Sequence, residues 1–440
     1  MIYKSILLLV FALATLPNFA QMGTRFPSER KVINDPVTGA KLVFLTSTPA
    51  GDSKIYPTHN QWTSDGEWVV FRSDRVKGEA MAVHEETGVM VQVTEGGYRG
   101  MLSVSRKSMK LYIMRRPSGG VRKRVLEVVE INLGTLFKDS ERGSMQPSTA
   151  YERICGTIPE YLRARADNAL DASEEWIWFR VSEEEAQKHL PEGTKLEEDF
   201  GPRGMGKGPS GIAGMNLKTG DIKYVVSVPF QAGHIQANPW KPGEIVFCWE
   251  TGGKAPQRTW IVNADGTDLR PLYPEADYEW VTHEAVIGKD EVAIAILGHR
   301  DIPEMDPDPQ KYNYPGMEKE WGNCGTREKP TGLGIVNIRT RKMEIAGQIP
   351  FGSGFWHVHG SSDGRFATGD DFDRNLFLIN RETREMILLT TGHKRTARDH
   401  VHPTFSPDGT KIEIQSAMLS EDDRSLNICV VHVPDEWLGN

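Results

Sequence analysis

The sequence predicts an all-β fold, a seven-bladed β-propeller, and three observations support that prediction. A turn motif containing Asp-Gly or a substitute recurs along the chain, each time before an apolar strand. A second polar turn, of the kind that joins two strands of a hairpin, follows most copies. Four-stranded units repeated at about 40 residues or more are typical of propellers, so seven copies predict seven blades.

The positions of the two turns define the expected blades. The clear copies of the Asp-Gly motif are residues 62–71, 360–367 and 405–414, and the weaker copies are residues 104–113, 170–179, 239–247 and 286–294. The hairpin turns are residues 84–88, 216–220, 263–266, 337–341 and 380–384. The longer spacers, predicted to be insertions, are residues 136–156, 183–214 and 299–332. Residues 303–315 are acidic and rich in proline, which suits either a lid or solvated packing material.

Composition supports this architecture and argues against one class of partner. The chain contains 43 Gly and 26 Pro without a low-complexity tract, which indicates many turns in a folded protein. Its formal net charge is −8, and it has no basic stripe. Because neutralising phosphates requires clustered Lys and Arg, we expect no nucleic-acid partner.

The N-terminus has the pattern of a secretory signal peptide. Lys4 provides the positive charge, residues 6–14 are apolar, and Ala20 is a small residue at the expected cleavage point. We therefore expect residues 1–20 to be a signal peptide and residues 21–440 to be a single propeller domain, periplasmic or secreted. The apolar run is too short to span a bilayer and no second run follows, so we expect no membrane insertion.

The four cysteines do not form a redox or zinc-thiolate motif. Cys248 and Cys429 lie in apolar strands and are expected to be buried thiols. No pair has C-x-x-C spacing. The chemistry of the protein is therefore expected to depend on other residues.

Histidines recur at comparable places in the repeat. Those that precede an Asp-Gly turn are His59, His234, His283, His357, His359, His400 and His402. In a propeller, the segment leading into an innermost strand approaches one face of the central channel, so these histidines are expected to converge. His400 and His402 are two residues apart, and in an extended chain their imidazoles point to the same side. Imidazoles suit late first-row divalent metals, and one held off the metal can act as a general base.

Several motifs, taken in order, resemble oligogalacturonate lyase, which is polysaccharide lyase family 22. These motifs are residues 233–234, 242–248, 258–270, 282–284, 400–409 and 433–437. The resemblance implies a seven-bladed propeller that catalyses manganese-dependent β-elimination on short uronate oligosaccharides. It also implies an acidic oligosaccharide as the partner. Calcium and zinc stay open as alternatives to manganese.

The resemblance also implies roles for individual residues. It assigns His283, His400 and His402 to the metal and His234 to the catalytic base. It places His357 and Arg258 beside the substrate. Trp249, one of several tryptophans near these motifs, is a further candidate for contact with a sugar ring, with packing between blades as the alternative.

Two positions depart from the family pattern. The family has a metal-binding glutamine where this chain has Ala397, and an active-site arginine where it has Gly211. The candidates for a fourth ligand are His357 and His359, of which we predict His359 as the ligand. The candidates for the positive charge are Arg180, Arg203 and Arg398, of which we predict that Arg180 binds substrate.

Two other functions stay open on the sequence alone. A glycoside hydrolase needs a pair of carboxylates across the bond. Asp370, Asp371 and Asp373 form an acidic cluster, for which a solvated turn is the expected role. A non-catalytic propeller of the TolB type would bind no metal and cleave nothing. A peptidase is disfavoured, because the chain has no Gly-x-Ser-x-Gly motif and no second α/β domain.

Overall fold

The computed structural model describes residues 21–118, 125–198, 205–251, 255–276, 279–297, 331–349 and 354–439. Within these residues the strands form seven antiparallel sheets, arranged as the blades of a propeller. The predicted all-β, seven-bladed fold is confirmed. The predicted signal peptide, Cys324 and the acidic segment 303–315 lie outside the described residues.

The first three blades follow three N-terminal strands. These N-terminal strands are β1 (Arg25–Phe26), β2 (Lys31–Asn34) and β3 (Lys41–Phe44). Blade 1 contains β4 (Ser53–Lys54), β5 (Trp68–Arg72), β6 (Ala80–His84) and β7 (Met90–Gln92). Blade 2 contains β8 (Arg99–Val104), β9 (Lys110–Arg115), β10 (Leu126–Asn132) and β11 (Glu152–Ile158). Blade 3 contains β12 (Asn168–Leu170), β13 (Trp176–Val181), β14 (Lys207–Asn216) and β15 (Ile222–Phe230).

The remaining blades continue this order from the channel outward. Blade 4 contains β16 (Ala232–Ala237), β17 (Glu244–Trp249), β18 (Thr259–Asn263) and β19 (Arg270–Pro271). Blade 5 contains β20 (Val281–Gly288), β21 (Glu291–Ile296), β22 (Gly332–Asn337) and β23 (Met343–Gly347). Blade 6 contains β24 (Phe355–Gly360), β25 (Phe366–Asp371), β26 (Leu376–Asn380) and β27 (Met386–Thr390). Blade 7 begins with β28 (Thr404–Phe405), β29 (Lys411–Ser416) and β30 (Asn427–His432).

The N-terminal strands complete the ring. Strand β3 pairs with β30 and β2 pairs with β3, so blade 7 combines C-terminal strands at the channel with N-terminal strands outside. Strand β1 pairs with β7 and widens blade 1. Because both ends of the described chain share one sheet, hydrogen bonds of that sheet hold the ring closed.

The chemistry of the Asp-Gly turns explains why the motif repeats. In three blades the hydroxyl of Thr63, Ser361 or Ser406 donates to the aspartate two residues later, at 2.5–2.6 Å. The glycine that follows has a φ of 71–77°, a region that glycine adopts without a steric penalty. All seven predicted copies connect the innermost strand of a blade to the second strand, and the five predicted hairpin turns connect the third strand to the fourth.

The hydrophobic core lies between the blades. Seven clusters of buried apolar residues each combine side chains from two neighbouring sheets. Phe179 and Tyr112, for example, join blades 3 and 2, and Phe71 and Val430 join blades 1 and 7. This packing leaves the inner edges of the sheets to line a central channel.

Short helices and buried thiols account for other features of the sequence. The helices are α1 (Leu133–Arg142), α2 (Glu183–Gln187) and α3 (Asp435–Leu438), with 3₁₀ turns at Ser148–Ala150 and Glu160–Leu162. The first two predicted insertions are shorter than expected, because β11 and β14 begin inside them. Cys248 and Cys429 are buried free thiols, as predicted. No helix in the described ranges is long and apolar enough to cross a membrane.

Candidate active site

Three innermost strands have an irregularity at the same level of the channel. The pairing register shifts within β16, β20 and β24, and the shifted segments contain His234, His283 and His357, respectively. Bulges re-aim side chains and are common beside active sites. Since the three strands start at the same face, the bulges place the three imidazoles at one mouth of the channel.

The histidine rings of blades 4 to 7 meet around His357. Its ring centroid lies 4.2 Å from that of His283, 3.9 Å from that of His402 and 5.4 Å from that of His400. His234 continues the series, 6.0 Å from His283. The structure thus brings together the predicted base, the three histidines that the resemblance assigned to the metal, and His357 at their centre.

Asp370 orients two of these rings. Its Oδ2 atom lies 3.3 Å from Nδ1 of His357 and 3.2 Å from Nδ1 of His400. A carboxylate that accepts from Nδ1 leaves the Nε2 lone pair available, as at many metal sites. Burial would raise the pKa of Asp370, but the two imidazoles hold that pKa well below its usual range. The expectation of a solvated turn is therefore wrong for Asp370, which is a buried, ionised partner of the histidines.

The other two aspartates of the acidic cluster have different partners. Asp371 accepts from the amide of Asn375 at 2.9 Å and stabilises its own turn. Asp373 forms an ion pair with Arg395 at the surface. The three aspartates consequently do not form the carboxylate pair across a bond that a glycoside hydrolase needs.

His402 is held in an uncommon backbone conformation. Its φ is 53°, and residues other than glycine persist in this region only where the surrounding structure enforces it. Its Nε2 atom lies 3.4 Å from a carboxylate oxygen of Asp399, and the side-chain amide of Gln415 lies 3.4 Å from Nδ1. His234, with a φ of 46°, shares this conformation.

His234 is held by a buried carboxylate. In the tautomer that these contacts favour, its Nδ1 donates to Glu284 at 2.8 Å, while Nε of Arg258 donates to the other Glu284 oxygen at 2.9 Å. The Glu284 and Arg258 residues are each only 2% exposed. On the other side of the ring, Nε2 lies 3.4 Å from Glu250, and the His234 side chain is 22% exposed. Nε2 is therefore the nitrogen available to take up a proton.

Electrostatics distinguishes His234 from its neighbours. Burial would lower the pKa of His234, but Glu284 and Glu250 raise it above its ordinary value. Burial, reinforced by the neighbouring His402, lowers the pKa of His357 to about 3. Burial also lowers the pKa of His283 well below its ordinary value. His283 and His357 are thus neutral near pH 7, the form that binds a metal, while His234 is the more basic group.

Sequence reasoning missed several residues of the site. Tyr56, which follows β4, lies with its ring centroid 5.1 Å from His234 and 5.2 Å from His402. It comes from blade 1, across the channel, and nothing in the repeat marks it. Glu284 could have been found from the sequence, because it directly follows His283 in the motif of residues 282–284.

His359, predicted as a metal ligand, lies outside the histidine cluster. It is two residues beyond His357 on β24 and therefore deeper in the channel. Its Nδ1 atom accepts from the backbone amide of Phe405 at 3.3 Å, and its charged neighbours are Lys54 and Arg106. Between the two candidates for a fourth ligand, the structure places His357, and not His359, among the other histidines.

The predicted substrate-binding residues divide between the site and its surroundings. Trp249 is 5% exposed and belongs to a hydrophobic core cluster, which corresponds to the packing alternative. Arg258 is buried behind His234, where it binds Glu284. Arg180 lies one blade away and forms an ion pair with Asp167 at 3.0 Å.

The two departures from the family pattern have structural counterparts. A Cβ atom at Gly211 would lie 2.2 Å from the hydroxyl of Tyr224, so this position leaves no room for a larger side chain. Ala397 belongs to a small buried apolar cluster. Arg398 lies more than half exposed at the rim, and Arg203 lies outside the described residues.

The donor set fits a divalent metal. Atoms of His357, Asp370 and His400 lie within 4.8 Å of one another. His283 and His402 adjoin His357, and neutral imidazoles are ligands for first-row divalent ions. A cavity of about 420 Å³ lies on the side of blades 7 and 1; its lining includes Asp399, which contacts His402, but none of the histidines.

Comparison with solved structures finds the same fold. An oligogalacturonate lyase in complex with manganese matches with a TM-score of 0.70 and 16% identity over 95% of this chain and 100% of that chain. The oligogalacturonate lyase from Vibrio parahaemolyticus matches with a TM-score of 0.69 and 17% identity over the same shares. No protein-family model and no curated protein matches the sequence. The chain thus shares its seven-bladed propeller fold with oligogalacturonate lyases.

Proposed function

We propose that this chain is a polysaccharide lyase that cleaves uronic-acid-containing oligosaccharides, similar to oligogalacturonate, by metal-assisted β-elimination. One observation supports the proposal above all. A histidine held by a buried carboxylate stands beside a cluster of four further histidines at one mouth of the channel. The similarity in fold to an oligogalacturonate lyase in complex with manganese agrees with this chemistry.

The proposed reaction removes the C5 proton of a uronate and breaks the C4–O bond. His234 accepts the C5 proton at Nε2, the electron pair forms the C4–C5 double bond, and the C4 oxygen leaves with its sugar and takes up a proton. Glu284 accepts from Nδ1, which fixes the tautomer and stabilises the imidazolium that forms. Arg258 holds Glu284 from behind through an ion pair.

The C5 proton is only weakly acidic, because the adjacent carboxylate is already negative. A divalent cation held there, manganese in this proposal, would neutralise that carboxylate and stabilise charge that develops next to it. His283, His357, His400 and His402 would hold the cation, with Asp370 orienting two of the rings. His357 takes the role that Ala397 leaves vacant, since its ring lies among the other three.

An aromatic ring beside the cluster suits a sugar. Trp356 presents a half-buried ring beside His283 and His400, and the apolar face of a sugar ring can stack on it. The N-terminal signal pattern supports export, so we propose that the enzyme acts in the periplasm or outside the cell.

Two measurements on the purified protein test this function. Elemental analysis is expected to find a divalent metal, and uronate oligomers are expected to yield an unsaturated product that absorbs in the ultraviolet. The screen covers galacturonate, rhamnogalacturonan, glucuronate and alginate oligomers. His234→Ala is expected to lower the rate by about 10²–10⁴-fold, whereas His432→Ala, on the last strand, is expected to leave it unchanged. If the protein contains no metal and yields no ultraviolet-absorbing product from any of the four oligomers, the result would instead support the non-catalytic binding module.

A further inference from the structure

A second groove, lined with arginines, opens between blades 2 and 3. Its volume is about 420 Å³, within the range of small-molecule sites, and its lining includes Arg99, Arg116, Arg163 and Arg165 but no Asp or Glu. The chain as a whole has 52 basic and 60 acidic residues. Because the chain has more acidic than basic residues, its composition does not explain why four guanidinium groups surround one cavity whose lining contains no carboxylate.

The fold places this arginine groove on the same face as the histidine cluster. Strand β8 begins at Arg99, Arg116 follows the end of β9, and Arg163 and Arg165 precede β12. Strands in each blade alternate in direction, so innermost strands begin where second strands end. That edge is the face at which β16, β20 and β24 begin with their histidines.

Most of the arginines in the groove have no internal partner. Arg99, Arg116 and Arg165 are exposed residues whose side chains have no hydrogen-bond or ion-pair partner among the residues that the structure describes, although the nearby Asp167 interacts electrostatically with Arg165. Arg163 pairs with Glu184. Like charges gathered in this way repel one another, and an anionic group from outside would relieve the repulsion.

One side of the groove lies next to the cavity that contains Asp399. Arg72, in the wall of that cavity, donates to the carbonyl oxygen of Gly100 at 3.1 Å, directly after Arg99. Asp399 in turn contacts His402. These contacts place the arginine groove and the histidine cluster on neighbouring parts of the same face.

A second connection runs through blade 3 to the proposed base. The backbone amide of Arg165 donates to the carbonyl of Arg180 at 2.8 Å. The guanidinium of Arg180 donates to the carbonyl of Ala232 at 2.7 Å, two residues before His234. The groove and the proposed base are therefore fixed relative to each other by one backbone hydrogen bond and one hydrogen bond from the Arg180 side chain.

We propose that the arginine groove binds a non-reacting anionic sugar unit of the substrate chain, through its carboxylate or through a sulfate ester. The proposal rests on the proposed function in that the ligand is a saccharide. Guanidinium groups bind both anions with two parallel hydrogen bonds. We expect a disaccharide at the histidines not to extend to the groove and a chain of several units to contact both, so binding is expected to increase with chain length.

Calorimetric titration of an uncleaving variant tests the groove without turnover. In a His234→Ala background, the probes are a galacturonate dimer, a galacturonate hexamer and a sulfated chondroitin hexasaccharide. The groove variant adds Arg99→Ala and Arg165→Ala, and the control adds Lys218→Ala and Lys342→Ala. These control lysines are exposed on hairpins at the opposite face and remove the same charge.

The groove variant is expected to lose about 10-fold in affinity for a hexamer, as two exposed charge-assisted contacts would give, and to bind the dimer unchanged. The control is expected to match its parent. A greater loss with the sulfated hexamer assigns the groove to sulfate, and a greater loss with galacturonate assigns it to carboxylate. Equal hexamer affinities in groove variant and control, or a hexamer no tighter than the dimer, overturn the proposal even if the wild type is a lyase. If the groove variant loses affinity but the wild type cleaves none of the oligomers, the groove proposal stands and the proposed lyase function is wrong.

Discussion

The ion pair behind the proposed base allows a quantitative test of how the site is built. Glu284 accepts from His234 and from Arg258, and neither Glu284 nor Arg258 reaches solvent. The substitution Glu284→Gln keeps the shape and one acceptor oxygen but removes the charge. Arg258 is then a buried cation whose remaining carboxylate, Glu250, lies 3.9 Å from its Nη1 atom.

The expected loss follows from removing one partner of a buried pair. Such changes destabilise proteins by about 3–5 kcal/mol, because the other charge stays buried without compensation. An unfolding entropy of about 2.1 cal/mol/K per residue over 440 residues corresponds to roughly 0.9 kcal/mol/K. Glu284→Gln is therefore expected to lower the apparent melting temperature by about 3–6 °C.

Scanning calorimetry on single and double variants measures this coupling. The double variant Arg258→Met and Glu284→Gln removes both charges, and the glutamine oxygen still accepts from His234. The double variant is expected to have a higher melting temperature than Glu284→Gln alone, because it no longer contains the uncompensated buried cation. If the two single losses simply add in the double variant, the ion pair does not hold the base and the reasoning is wrong.

Other predictions concern the metal and the floor of the channel. Asp370→Asn is expected to weaken binding of Mn²⁺ about 10–100-fold in a calorimetric titration, with Asp373→Asn unchanged. His357→Gln is expected to abolish that binding and His359→Gln to retain it; the reverse order would restore His359 as the ligand. Burial raises the pKa of Glu413 to about 7 from 4.5, so the native protein loses stability as the pH rises through that interval. The melting temperature of Glu413→Gln relative to wild type is accordingly expected to increase between pH 5 and pH 8.

The propeller fold was predictable because its repeated turns depend on residues that are close together in the sequence. Each Asp-Gly turn depends on a hydroxyl, a carboxylate and a glycine within a few residues, as at Ser406, Asp408 and Gly409. The five hairpin turns are equally local. The lengths of the inserted segments were less predictable, because β11 and β14 begin inside polar stretches whose strand pairing depends on neighbours far along the chain.

The histidines of the site could be predicted as a group, but their partners could not. Periodicity indicated that His234, His283 and His357 share a level, since each precedes a turn. It could not distinguish His357 from His359, because both lie on the same side of β24. Only the three-dimensional packing shows that His359 accepts from the amide of Phe405 while His357 meets three other rings. Tyr56 comes from a different blade, so no local pattern pointed to it.

The departure at Ala397 and the position of Asp370 are best understood together. An alanine in an apolar cluster cannot supply a ligand, so a cation at this site needs another donor near His400. His357 is that donor in the proposed site, and Asp370, on the second strand of blade 6, accepts from Nδ1 of both His357 and His400. One carboxylate thereby orients the ring that would replace the missing amide and a ring that the family resemblance already assigned to the metal. If this compensation is real, Ala397→Gln does not rescue Asp370→Asn, because the buried apolar cluster around position 397 disfavours a polar side chain there. Rescue of Mn²⁺ binding would show that the amide position is still part of the site.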